Sequence, residues 1–181
     1  MRRAVFLDRD GTIIEDGDYL ADAKRVRLLD GAIPVLRWFR DRDLLLVVVS
    51  NQSGIARGLI TPAQHDEVDA RLRSLLESEG VPLAAAYYCA HGPADGCACR
   101  KPLPGLIDQA AREHDIDRAR SLMIGDKLAD VAAGRAAGCT TALLGPGKDL
   151  ASLPGAANVA PDHRADDWPS LLLSLESTWK L

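Results

Sequence analysis

The sequence predicts an α/β protein, a mostly parallel sheet with helices on both faces in a three-layer, Rossmann-like arrangement. Two observations predict it. Short apolar runs of strand length alternate with helical patterns along the chain, and polar clusters follow those runs at their carboxyl ends, where open α/β sheets place ligands. No internal repeat or low-complexity segment interrupts the alternation.

The first strand is Ala4-Val5-Phe6-Leu7, a short apolar run. It ends on Asp8-Arg9-Asp10-Gly11-Thr12, two carboxylates two residues apart followed by a glycine. Ile13 to Leu29 shows no clear period and reads as a long functional loop. Ala32, Val35, Leu36 and Phe39 fall at helical spacing, with Pro34 tolerable in a first turn. Leu44 to Val49 is apolar on both faces, as a central parallel strand should be, and runs into Ser50-Asn51-Gln52-Ser53-Gly54. Thr61-Pro62-Ala63-Gln64 carries a capping box and an N1 proline. Val68, Leu72, Leu75 and Leu76 form the buried stripe of that helix, and Gly80 stops it.

Ala84 to Cys89 is the third strand. A cysteine-rich loop reaches Cys99, then come Arg100-Lys101-Pro102 and a helix from Gly105 to His114. Ser121 to Ile124 is the fourth strand, ending at Gly125-Asp126. Leu128, Val131, Ala132 and Ala136 mark a helix closed by Gly138, and Thr140 to Leu144 is the fifth strand. Gly145 to Pro161 reads as loop, and a last helix, Asp166 to Thr178, packs Trp168, Leu171, Leu172 and Leu175.

The 181 residues, 47% hydrophobic and 27% charged, suit one domain over residues 1–181. A chain of that length buries roughly 70% of its unfolded surface, enough to need no disulfide staple. A net charge of −4 without a Lys/Arg run argues against nucleic acid. No apolar run is long enough to span a bilayer, and the N-terminus lacks a signal-peptide pattern. A cytoplasmic monomer is expected, with its cysteines as thiols or metal ligands.

Four polar clusters thus follow strands: Asp8/Asp10, Ser50/Asn51, Arg100/Lys101 and Asp126/Asp130. Carboxylates suit Mg²⁺, and a lysine and a hydroxyl suit phosphate oxygens. One carboxylate of the first pair can attack phosphorus while the other handles a proton. Cys89, His91, Cys97 and Cys99 are a Cys₃His complement for a closed, structural Zn²⁺ site in the loop 89–99. Cys139, beside an apolar run, reads as core.

Taken motif by motif, the chain resembles the haloacid-dehalogenase-like phosphatase superfamily: Leu7-Asp8-Arg9-Asp10-Gly11-Thr12, Ser50, Lys101, and Gly125-Asp126 with Asp130. The resemblance implies that Asp8 is the nucleophile that becomes an aspartyl phosphate and that Asp10 is the acid, then the base. It implies that Ser50 and Lys101 hold the phosphoryl group. Mg²⁺ would sit on Asp8, the carbonyl of Asp10, and Asp126, with Asp130 orienting the set. The zinc loop narrows the resemblance to the D-glycero-D-manno-heptose-1,7-bisphosphate 7-phosphatases. The matching residues are Ser50-Asn51-Gln52-Ser53-Gly54-Ile55-Ala56-Arg57-Gly58, Cys99-Arg100-Lys101-Pro102 and Ile124-Gly125-Asp126-Lys127-Leu128-Ala129-Asp130.

That family implies substrate contacts from Asp8, Arg9 and Asp10; from Asp16, Gly17, Asp18 and Tyr19; from Ser50, Asn51, Gln52 and Ser53; and from Arg100 and Lys101. Lys127 would add a cation. The substrate would be a small sugar bisphosphate on the way to nucleotide-activated heptose for lipopolysaccharide, reached through a site with no large cap domain. Histidinol-phosphate phosphatases share the Asp-Arg-Asp motif, zinc loop and Arg-Lys-Pro, but usually carry an aspartate where Ser53 stands. A nucleic-acid 3′-phosphatase and a non-catalytic zinc-stabilised binding domain are remoter readings. The acidic charge weighs against the first, and the complete set of reactive residues against the second.

Overall fold

A computed structural model describes residues 1–148 and 159–179. Its sheet has six parallel strands in the order β3-β2-β1-β4-β5-β6. The strands are β1 (Arg3–Leu7), β2 (Leu44–Asn51), β3 (Ala85–Cys89), β4 (Leu122–Lys127), β5 (Thr140–Lys148) and β6 (His163–Ala165). The helices are α1 (Ala32–Arg40), α2 (Ser53–Ala56), α3 (Pro62–Ser78), α4 (Gly105–Glu113), α5 (Leu128–Ala137) and α6 (Trp168–Thr178).

Side chains alternate across a strand, so each inner strand feeds two cores. Val5, Leu7, Leu46, Val48 and Ile124 face α1, α3 and α6, where Leu36, Phe39, Leu72, Leu76, Trp168 and Leu171 are buried. Ala4, Phe6, Val47, Val49 and Met123 face the opposite layer, against Leu106, Ile107 and Ala110 of α4 and Ala133 and Ala137 of α5. Helices on both faces are what near-continuous apolar strands require.

Most predicted elements lie within a residue or two of the observed ones. The Thr61 hydroxyl accepts from Gln64 N–H and the Gln64 side chain reaches back to Thr61 N–H, so the capping box is formed. Gly138 closes α5 in the left-handed conformation, φ 81°. Four differences stand out. The buried stripe of α5 contains Ala133, Gly134 and Ala137, whereas Ala136 faces solvent, because small residues all round gave no sharp stripe. Residues Gly145–Lys148, read as loop, extend β5. A sixth strand exists where none was expected, a three-residue edge piece paired with Ala142–Leu144. The rest of the predicted 145–161 loop, residues 149–158, lies outside the described residues. The segment from Ile13 to Leu29 is long, as expected, but well packed. Ile13, Ile14, Leu20 and Val26 are buried, Ile14 bridges to Leu28, and Ala23–Arg25 form one 3₁₀ turn.

Trp168 ties the end of the chain to the loop after β1. It is 1% exposed, and its indole N–H donates to the Thr12 carbonyl at 2.9 Å. Trp168→Phe keeps an aromatic ring but leaves that carbonyl buried without its donor, a loss of roughly 1–3 kcal/mol. For a chain of this size the melting temperature should fall by roughly 2–10 °C. Thermal unfolding followed by circular dichroism checks this, and a shift within experimental scatter would show that the bond contributes nothing.

Candidate active site

Strand β1 ends where its neighbours open the sheet. Asp8 N–H still pairs with the Ile124 carbonyl at 2.9 Å, and the chain then turns on Arg9, whose carbonyl accepts from Thr12, Ile13 and Ile14. Gly11 takes φ +82°, and a Cβ there would lie 2.5 Å from Asp126 Oδ2. A Cβ on Gly125 would lie 2.3 Å from the Cβ of Asp130. The two glycines therefore let two carboxylates pack directly against backbone. The pairing of β4 with β5 shifts register between Gly125 and Lys127, and this irregularity sits beside Asp126.

These turns bring together Asp8, Ser50, Lys101, Asp126 and Asp130, all buried. The Lys101 ammonium donates to Asp8 Oδ1 at 2.8 Å and to the Val49 carbonyl at 2.7 Å, and stands 2.5 Å from Asp130 Oδ1. Its three donors thus meet three acceptors. The Lys101 main chain is held as firmly. Asn51 accepts from Lys101 N–H and donates to the Lys101 carbonyl, both at 3.0 Å. Asp130 also accepts from Lys127 N–H at 3.0 Å, so one carboxylate braces both the lysine and the start of α5. Carboxylate oxygens of Asp8, Asp126 and Asp130 lie within 4.8 Å of one another, a hard-oxygen set suited to a divalent cation.

Burial opposes ionisation of Asp8. Lys101, then Lys127, together with hydrogen bonds from Lys101 and Ser50, overcome that and hold its carboxyl below the usual range. Burial pushes Asp130 the other way, up to about 6, against the pull of the same ammonium. Lys101 keeps its proton more tightly than an ordinary lysine, because Asp130 and Asp8 outweigh its desolvation. Asp10 sits at the mouth, half-buried. It accepts from Arg9 Nε at 3.0 Å, from the second Arg9 fork at 3.2 Å and from Gln52 Nε2 at 2.7 Å. Gln52 also donates to Ser50 Oγ at 3.2 Å.

A cleft of about 650 Å³ opens over this group. Asp8, Asp10, Ser50, Asn51, Ser53, Arg100, Lys101, Lys127 and Asp130 line it, as do Gly92, Pro93 and Leu103, which the sequence did not single out. Arg9 and Gln52 turn inward instead and support Asp10. Asp16 and Gly17 line a separate hollow with Glu15, Leu20, Arg25 and Arg27. Asp18 and Tyr19 take left-handed φ of 39° and 62°. Tyr19 is 42% exposed, covers Gly54 and bonds Arg57 through its hydroxyl.

The loop leaving β3 gathers Cys89, His91, Cys97 and Cys99. Cys89 Sγ lies 3.6 Å from Cys97 Sγ and 3.2 Å from Cys99 Sγ, and His91 Nδ1 lies 3.6 and 3.3 Å from Cys89 and Cys99. Ligands about 2.0–2.3 Å from a tetrahedral zinc stand roughly 3.5–3.8 Å apart, so the donors are close to the spacing such an ion needs. Arg100, next along, donates to the His91 carbonyl at 3.2 Å. The other end of the loop packs on α4, where a Cβ on Gly105 would lie 2.3 Å from the Ala98 carbonyl. Cys139 is buried in the α4/α5 layer, as expected.

Comparison with known proteins places this geometry. The HAD-hydrolase-like family profile matches residues 98–171. The D-glycero-β-D-manno-heptose-1,7-bisphosphate 7-phosphatase of Yersinia pestis is 40% identical over 78% of this chain and 79% of that protein. The enzyme of that name from Escherichia coli K12 is 41% identical over 87% of this chain and 85% of its own. A crystal structure of D,D-heptose 1,7-bisphosphate phosphatase from B. bronchiseptica, complexed with magnesium and phosphate, superimposes with a TM-score of 0.83 at 33% identity, covering 97% of this chain and 98% of that one. The chain belongs to the D-glycero-β-D-manno-heptose-1,7-bisphosphate 7-phosphatase family of HAD-like hydrolases.

Proposed function

We propose that this protein removes the 7-phosphate of D-glycero-β-D-manno-heptose 1,7-bisphosphate in heptose and lipopolysaccharide biosynthesis. The observation that carries the reading is Asp8, a buried carboxylate kept ionised by Lys101 and Lys127 and lying two residues from a second carboxylate at the cleft mouth. The Asp8 carboxylate attacks phosphorus while Asp10 gives its proton to the departing sugar oxygen, leaving an aspartyl phosphate. Asp10 then takes a proton from water, which attacks the same phosphorus and releases phosphate and the Asp8 carboxylate. Ser50 and Lys101 hold the phosphoryl oxygens, the ammonium giving up its bond to Asp8 Oδ1 as that carboxylate attacks. Asp8, the Asp10 carbonyl and Asp126 would hold Mg²⁺, which when bound supplies charge neutralisation at the transferring group.

The substrate's two phosphates need cations at both ends of the cleft. Lys101 and Lys127 serve the reacting end. Arg100, set by the His91 carbonyl, is the candidate for the other, because a guanidinium takes phosphate bidentately. Asn51, Ser53 and Tyr19 are the remaining candidate contacts. The cleft volume suits a small, extended molecule. No helix among the described residues is long and apolar enough to cross a membrane. A cytoplasmic setting keeps the thiols reduced and available to zinc.

Steady-state kinetics on heptose 1,7-bisphosphate and histidinol phosphate, side by side, test the substrate. The heptose should give the higher kcat/KM, with phosphate released from position 7. Better turnover of histidinol phosphate would overturn the assignment.

Asp8→Asn should abolish turnover and leave the far-UV spectrum intact, since an amide is a poor nucleophile. Rapid quench of the wild-type enzyme with labelled substrate, followed by peptide mapping, should place the phosphoryl group on Asp8. Label on Asp10 would sink the mechanism.

Zinc in the Cys₃His loop would stabilise the segment that delivers Arg100 and Lys101 without touching a reacting atom. Cys97→Ser should lower zinc content and kcat/KM together while the sheet persists, because only Cys89, the last residue of β3, ties the cluster to a strand. Elemental analysis decides: fully active enzyme with far less than one zinc per chain removes the metal from the account.

A further inference from the structure

Arg9 is 1% exposed, and its side chain is spent inside the protein. Two of its nitrogens hold both oxygens of Asp10, at 3.0 and 3.2 Å, while the third, NH1, is buried with no hydrogen-bond partner among the described residues. A guanidinium so placed needs another source of stabilisation, and the Tyr88 ring offers its face with the Arg9 carbon 5.7 Å from the centroid. Tyr88 stands on β3 opposite Ser50 of β2, so the sheet itself carries it to this position. It is fixed from behind. Its hydroxyl donates to Asp69 of α3, Asp69 in turn accepts from Arg73 at 2.7 Å, and the His65 ring meets Tyr88 edge-on at 4.4 Å. A continuous path thus runs from the carboxylate at the cleft mouth to Asp69 and Arg73 of α3.

We propose that Tyr88, carried into place by β3, is a positioning residue for Asp10, acting through Arg9. The inference rests on the reading of Asp10 as the general acid. Asp10 has no anchor of its own at the half-exposed cleft mouth. Arg9 and Gln52 fix it, and Arg9 is a long, flexible side chain unless something fixes it in turn. The ring face limits where the guanidinium can lie, and the guanidinium, bonded to both carboxylate oxygens, limits where they lie. Small errors in the placement of a catalytic group are costly, so a residue remote from substrate can govern the rate.

The test uses the leaving group. A sugar alkoxide leaves poorly without a proton, whereas nitrophenolate leaves readily, so kcat/KM for heptose bisphosphate depends on Asp10 more than kcat/KM for p-nitrophenyl phosphate. Tyr88→Met keeps bulk without a π face, and should lower kcat/KM for the bisphosphate about tenfold and that for the nitrophenyl ester by less than about threefold. The loss should lie in kcat rather than KM. Tyr88→Phe keeps the face and should remain within about threefold of wild type on both. Equal losses on both substrates in Tyr88→Met, or no loss, would overturn the proposal and leave Tyr88 a packing residue. If Tyr88→Met does not fold, Arg9→Lys reads the same ratio. It keeps the charge but cannot grip both oxygens, so a selective loss upholds the path and an equal loss overturns it. Asp10→Asn separates the two levels. If it shows the selective loss and Tyr88→Met does not, only the positioning idea falls; if it too lowers kcat/KM equally on both substrates, the general-acid reading fails and takes the inference with it.

Discussion

Lys101 is 4% exposed, and an ammonium in such a place is tolerable only if every one of its protons is matched. Its acceptors come from three separate elements: Asp8 after β1, the Val49 carbonyl in β2, and Asp130 in the first turn of α5. Asn51 secures the same residue by its main chain. Lys101 can therefore be buried only when β1, β2 and β4 are already aligned and α5 has started in register. Reciprocally, its charge is what lets two carboxylates sit this deep. They do not share it equally. Asp8 is held ionised, while burial pushes Asp130 up to about 6. The division suits a nucleophile beside a brace.

The strand order explains why these groups meet. β1 lies between β2, reached on one side, and β4, reached on the other, so the chain changes direction around β1. Such a switch point leaves a crevice at the carboxyl ends that no crossing segment fills. Two glycines then set its depth. Side chains at Gly11 and Gly125 would occupy the places of the Asp126 and Asp130 carboxylates. The close approach of backbone to acid is thus built into the turn after β1 and into β4 itself.

Much of the architecture was legible because the strands near the site are strongly apolar and end abruptly in polar residues. The same boundary marked Asp8, Asp10, Ser50 and Asp126 as a set, and the Cys₃His spacing marked the loop. What stayed hidden depends on direction rather than identity. Arg9 and Gln52 sit among the motif residues, yet their side chains point into the protein, toward Asp10, and no one-dimensional pattern tells a contact from its support. Asn51 faces the cleft but also clamps a backbone fifty residues on, which only the folded chain reveals. β6 was missed because three residues, with Arg164 exposed between two buried neighbours, carry too little hydrophobic signal. Asp16, Gly17, Asp18 and Tyr19 were read together, but Asp16 and Gly17 line a separate hollow while Tyr19 covers Gly54.

In the proposed reaction, the division between a deep end and an outer end of the cleft accounts for the choice between two phosphates. The deep end is rigid, since Lys101 is bonded to both Asp8 and Asp130. The outer end is set by Arg100, which hangs from the His91 carbonyl, and His91 belongs to the Cys₃His cluster. The distance between the two cationic ends is thus governed by the fold of that loop. A short loop braced at one end by β3 and at the other by α4 has few ways to vary it. Selectivity between positions 1 and 7 then follows from which phosphate can reach the rigid end while the other still meets Arg100. On that proposal the reacting groups need not distinguish the two phosphates chemically, because the loop would separate them by span.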